Sequence, residues 1–152
     1  EMLAKCRRLK ASEGQLDLVI VDYLQLMRAP GRGENRTQQI AEISRALKIF
    51  AKELNVPILA LSQLTRLVEH RPSQEPRLAD LRDSGAIEAD ADVVLLLHKE
   101  AGMEDPTRQT AIVTPHEIEV RVAKNRNGPR GNVRLMFTPS YTLFTEVARY
   151  DE

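Results

Sequence analysis

The chain has 152 residues, 42% hydrophobic and 29% charged, a length and balance that suit one globular domain with a workable core. Lys and Arg together number 22, as do Asp and Glu, so the net charge is zero and any polyanion binding has to come from local clusters. A single Cys excludes an intramolecular disulfide or a Cys-based zinc cage, and no apolar run approaches the roughly 20 residues of a membrane span.

The N-terminal stretch "EMLAKCRRLKAS" reads as the end of a basic helix over residues 2–12, with Gly14 as its stop. It has no initiating Met and no secretory apolar segment, which predicts a piece of a longer chain from a reducing compartment. Leu18 to Val21 is a short, wholly apolar run, the pattern of a strand buried on both faces, and it runs into Asp22. "RAPGRGENR" then reads as a polar loop rich in Arg.

Between Thr37 and Leu54 the apolar residues Ile40, Ile43, Leu47, Phe50 and Leu54 recur three and four apart, one stripe of an amphipathic helix. Asn35 is its expected N-cap, and Asn55 with Pro57 ends it. "VPILALSQ" predicts a second apolar strand that ends in Ser62 and Gln63. After the Pro-containing loop "EHRPSQEPR", the stretch "LADLRDSGAIEADADVVLLLHKE" predicts a short helix, a turn and a third strand over Val93 to Leu97. Residues 100–116 read as a surface excursion. "EIEVRVAKNRNGPRGNVRLMFT" alternates apolar and polar residues around "NGPRG", a hairpin whose turn exceeds two residues, and "YTLFTEV" offers one more strand. Apolar strands alternating with helices predict an α/β fold: a mainly parallel sheet flanked by helices, with an antiparallel hairpin edge.

Ligands of open parallel sheets bind beyond the carboxyl ends of the strands, where Asp22, Gln63 and His98 stand. An apolar strand ending in Asp is the form of a Walker B element, whose carboxylate holds Mg²⁺, usually through water; the alternative is that Asp22 only caps a loop. Gln63 could sense a γ-phosphate or be a plain surface amide. Lys124 and Arg126 stand at alternate positions of a strand, so their charges repel unless an anion sits between them. That anion could be a phosphate, reached by an arginine finger on a neighbouring subunit's nucleotide; otherwise the two cations line a solvated hairpin face. Arg82, Asp83 and Gly85 in "LRDSG" suit close backbone approach to a phosphate, or an ordinary turn in which Arg82 pairs with Asp80 or Asp83. His70, His98 and His116 have no metal-ligand spacing, and no Ser/His/Asp or Cys/His set is present. With three Tyr, three Phe and no Trp, contact with a nucleic acid would run mainly through phosphates.

In order, "DLVIVDYLQLM", "LALSQLTR", "LADLRDSGAIEADADVVLLLHKE" and "VAKNRNGPRGNVRLMF" resemble the C-terminal part of the DnaB-family replicative helicases, from about Leu3 to Phe144. The resemblance implies a RecA-like ATPase fold and a hexameric ring around single-stranded DNA. It also implies ATP and Mg²⁺ as ligands, primase and a helicase loader as partners, and a bacterial cytoplasmic location. By position it makes Asp22 the Walker B aspartate that holds Mg²⁺ through water, and Gln63 the glutamine that couples nucleotide state to the DNA loops. Lys124 and Arg126 become the basic pair that reaches the neighbouring subunit's ATP site, and Arg82, Asp83 and Gly85 the loop that tracks the DNA backbone. The Arg-rich loop from Gly31 to Arg36 would face the ring's channel.

One departure is plain: no G-x-x-x-x-G-K-[ST] occurs, and the water-activating glutamate of the family has no match. Residues 1–152 are therefore expected to be the C-terminal part of one RecA-like domain, inactive alone and prone to self-association through an unpaired sheet edge. Two other readings are a different RecA-like ring ATPase, of the recombinase or KaiC-like kind, and a non-hydrolysing interaction module of a helicase assembly.

Overall fold

A computed structural model describes residues 1–28, 35–81, 85–99 and 114–147. They fall into two compact units, one of residues 1–65 and 81–91 and the other of residues 66–80 and 92–152.

In the first unit, helix α1 (Met2–Glu13) stops at Gly14, whose φ of 74° is the left-handed conformation a helix end needs and glycine adopts most easily. None of its side chains is buried. It is tied instead to the end of helix α2 (Arg36–Leu54): Arg7 Nε donates to Glu53 at 2.6 Å and Lys10 Nζ donates to the Leu54 carbonyl. A cation on the last carbonyls of α2 also opposes the negative end of that helix's dipole.

The Asn35 side chain accepts from the Thr37 N–H at 3.2 Å, and Asn55 closes α2 in the left-handed region at φ 51°. All five predicted stripe residues, Ile40, Ile43, Leu47, Phe50 and Leu54, are buried. Strand β1 (Val19–Val21) pairs in parallel with β2 (Ile58–Ala60), Val19 opposite Ile58 and Val21 opposite Ala60. The parallel direction requires a crossover, and α2 supplies it. Burial on both faces of β1 is not found. Val21 is buried, but Ile20 is 60% exposed and its partner Leu59 50%. Period-two alternation puts these two on one face with Leu18 and Leu61, which are also exposed. A continuous apolar run predicts a sheet with two covered faces, whereas here Val21 faces the core and Ile20 does not. Helix α3 (Gly85–Asp90) packs on α2, where the Ser44 hydroxyl donates to Asp90 at 2.8 Å.

The second unit is an antiparallel sheet of order β3 (Val93–His98), β4 (His116–Asn125), β5 (Gly131–Thr138) and β6 (Leu143–Glu146). The predicted hairpin is β4–β5, and the antiparallel part extends beyond it to β3 on one side and β6 on the other. His116, Phe137 and Phe144 stand in one row across three strands, with the two Phe rings 4.6 Å apart, a cross-strand aromatic pair that helps hold β6. Residues 66–80 are pinned by charge. Asp80, buried, takes a two-pronged Arg71 guanidinium at 2.8 and 2.9 Å and the Arg77 N–H at 2.8 Å. Glu75 pairs with Arg121 of β4, which also donates to Glu119 at 3.0 Å. No described helix is long and apolar enough to cross a membrane.

Candidate functional site at the strand ends

In the first unit, Asp22 follows β1 directly and Gln63 lies three residues beyond the end of β2, so the parallel pairing brings the two strand ends together. The pairing continues past the strands: Leu61 N–H donates to the Val21 carbonyl, and Leu24 N–H to the Leu61 carbonyl, each at 2.9 Å. A 3₁₀ turn over Leu24–Leu26 then lifts the first segment's main chain out of the ladder. The peptide bond between Asp22 and Tyr23 is cis.

A charge beside an apolar run has to be paired or solvated. Asp22 is solvated: it is exposed, and among the described residues its carboxylate has no hydrogen-bond or ion-pair partner. One exposed carboxylate with no protein cation against it suits Mg²⁺, which keeps several waters and takes one or two carboxylates plus phosphates. Among the described residues no group of three or more His, Cys, Asp or Glu could hold a metal ion.

The Gln63 side chain is exposed, but its backbone is held by Gln25 from inside the 3₁₀ turn. The Gln25 amide accepts from the Gln63 N–H at 3.3 Å, donates to the Gln63 carbonyl at 3.4 Å and donates to Ser62 Oγ at 3.0 Å. Arg36 holds Gln25 in turn, donating to its carbonyl at 2.7 Å, to the Met27 carbonyl at 3.2 Å and to Gln39 at 3.0 Å. Arg36 is thus the first residue of α2, with its guanidinium on its own fold rather than presented from a loop. Residues 31–34 of that predicted channel loop lie outside the described residues. The sequence did hold a signal for Gln25, a single amide inside the apolar cluster "YLQLM", but only the pairing of β1 with β2 shows what the amide meets.

Arg82 and Asp83 also lie outside the described residues. Gly85 is the first residue of α3 rather than part of a loop, and the space where a Cβ would stand is open. Asp80, one of the two partners read for Arg82, takes the Arg71 guanidinium at 2.8 Å. Nothing in the sequence pattern marks that contact, since the partners stand nine positions apart and no periodicity links them.

In the second unit, Lys124 is the penultimate residue of β4, whereas Arg126 lies one residue past the strand's end. Val94 faces Lys124 and Leu95 faces Val122, so Ala123 is an extra residue, a bulge that stands before both cations and leaves their alternate spacing unchanged. The Arg126 N–H donates to the Asp92 carbonyl at 2.8 Å, and its guanidinium lies 3.5 Å from the Asp92 carboxylate, both side chains about half exposed. The like charges are therefore eased by Asp92 on the Arg126 side. The hairpin tip, residues 126–130, is braced by Asn125, which accepts from the Asn127 N–H at 3.3 Å and donates to the Pro129 carbonyl at 3.0 Å.

Residues 1–146 match the family model described as the DnaB-like helicase C-terminal domain. The replicative DNA helicase DnaB of Leifsonia xyli is 50% identical over 148 residues, which is 97% of this chain and 31% of that protein. The replicative DNA helicase DnaC of Bacillus subtilis is 46% identical over 98% of this chain and 32% of its own length. Among solved structures, a DnaB-like replicative helicase, determined in a study of its interactions with primase, superposes with a TM-score of 0.83 at 39% identity, covering 97% of this chain and 34% of that one. A separately solved ATPase domain gives the same score and identity over 97% of this chain and 50% of its own. The chain spans about a third of the length of the curated relatives it matches.

Proposed function

The chain belongs to the DnaB-like helicase C-terminal domain family, and on that premise we propose that it is part of the motor of a hexameric replicative helicase. Its fold is the RecA-like ATPase fold of its structural neighbours. In the proposed reading the complete protein couples ATP hydrolysis to movement along single-stranded DNA and to strand separation, with primase and a helicase loader as partners in the bacterial cytoplasm. Residues 1–152 form the C-terminal part of one RecA-like domain, and the phosphate-cradling loop, whose motif this sequence lacks, comes from elsewhere in the complete protein.

The observation that carries this reading is the pairing of β1 with β2, which sets a solvated carboxylate beside a backbone-anchored glutamine at neighbouring strand ends. Asp22 is the residue that would hold Mg²⁺ through water, and the metal, when bound, would neutralise phosphate charge. Gln63 reads the γ-phosphate and passes its presence to the DNA-facing segments, where Arg82, Asp83 and Gly85 meet the strand's backbone. Lys124 and Arg126 act across a subunit boundary. Their charge meets the negative charge that develops on the transferred phosphoryl group, and this role requires a side chain offered to solvent, as half-exposed Arg126 is.

Replacing Arg126 with Ala in the complete protein tests this. Nucleotide binding should persist while DNA-stimulated hydrolysis falls by about 10³-fold or more, the worth of an arginine finger supplied in trans. Mixing mutant with wild-type subunits should depress activity beyond dilution. Undiminished hydrolysis would make the hairpin a surface feature and favour the interaction module.

A further inference from the structure

We propose that Gln25 is a positioning residue for Gln63, a side-chain amide that stands in for a missing peptide of the ladder and fixes how nucleotide state is read. This deepens the proposed function and rests on it. The second segment's main chain runs on through Leu61, Ser62 and Gln63, but the first segment turns away at Leu24–Leu26. The last main-chain bond between them is Leu24 N–H to the Leu61 carbonyl, so the N–H and carbonyl of Gln63 have no peptide opposite them from that segment.

A primary amide has the same donor and acceptor pair as a peptide unit. The Gln25 amide meets both polar groups of the Gln63 backbone and has a donor left for Ser62 Oγ. With N–H and carbonyl both held, the Cα–Cβ direction of Gln63 is set, and with it the arc its side chain can sweep beside Asp22. Gln25 is fixed in turn, because Arg36 at the start of α2 grips its carbonyl. The line Arg36–Gln25–Gln63 therefore joins the helix start to the second strand end. Neither hydrophobic patterning nor helix packing accounts for it, since every link is a polar contact.

The test is a double-mutant cycle in the complete protein, assayed as DNA-stimulated ATPase. Gln25→Leu removes all three contacts at similar volume. It should lower kcat about tenfold, on the scale of one or two lost hydrogen bonds, with nucleotide KM changed less than about threefold. In a Gln63→Ala background the same substitution should lower kcat no further, because Gln25 acts only through Gln63. A merely structural role would instead cut activity again in that background and lower the unfolding temperature. Gln25→Glu keeps the acceptor for the Gln63 N–H and loses both donors, so it should fall between wild type and Gln25→Leu; it carries the test should the leucine variant not assemble. Wild-type kcat in both Gln25 variants, or losses that add to that of Gln63→Ala, would overturn the positioning role and leave the proposed function standing. A Gln63→Ala enzyme with wild-type turnover would overturn the role given to Gln63, and the role of Gln25 with it.

Discussion

The two units place their candidate residues by opposite means. In the first, Asp22 and Gln63 are far apart in sequence and meet because a crossover through α2 makes β1 and β2 parallel. In the second, Lys124 and Arg126 are two residues apart and share one end of an antiparallel hairpin. A site made by a crossover is only as well placed as the helix that spans it. A site made by a hairpin carries its own register in the ladder and in the braces of its turn. Damage to the core of α2 should therefore reach the first pair, whereas damage to residues 66–80 should leave the hairpin ladder itself intact.

The largest effect expected is chemical. Asp22→Asn in the complete protein should reduce ATP turnover by about 10³-fold, the scale for losing a metal-orienting group at a phosphoryl-transfer site, with the fold unchanged by circular dichroism. The 152-residue chain alone, which lacks the P-loop motif, should give no turnover above background, and measurable hydrolysis would refute the proposed division of the site.

Next comes the crossover itself. Ile40 is fully buried on α2, so Ile40→Ala should cost about 3 to 4 kcal/mol in denaturant unfolding. The same variant should also impair nucleotide-dependent activity in the complete protein, and normal activity at that cost in stability would break the contrast between the two units.

Acid offers a contrast in the second unit. The Arg71 guanidinium holds the Asp80 carboxyl below the usual carboxylate range, and Arg121 does the same for Glu75. A carboxylate depressed by folding stabilises above its unfolded pKa, near 4, and that stabilisation is lost as pH falls through the lower folded value. Residues 66–80 should therefore gain amide exchange below about pH 4 before the β4–β5 ladder does. Asp80→Asn should lower the melting temperature by roughly 5 °C at neutral pH and weaken this acid response.

The smallest effect is local. Asn35→Ala removes the acceptor for the Thr37 N–H and should cost about 1 kcal/mol, read as a shift of the denaturation midpoint with unchanged slope.

The sequence alone determined the features written in neighbouring residues. The α2 stripe follows from a 3.6-residue period, its ends from Asn35 and Asn55, the stop of α1 from Gly14, and the hairpin from alternation around "NGPRG". Its resemblance to replicative helicases was legible for the same reason, because the motifs are short and contiguous. Tertiary structure alone decided the rest. It showed that Ile20 and Leu59 form an exposed face, that Ala123 bulges from β4, and that Asp80 pairs with Arg71. It also showed that the Gln25 amide lies on the backbone of Gln63. The physical reason is common to all four: each depends on which segments pair or pack in space, a choice settled by contacts that no local period, cap or turn encodes.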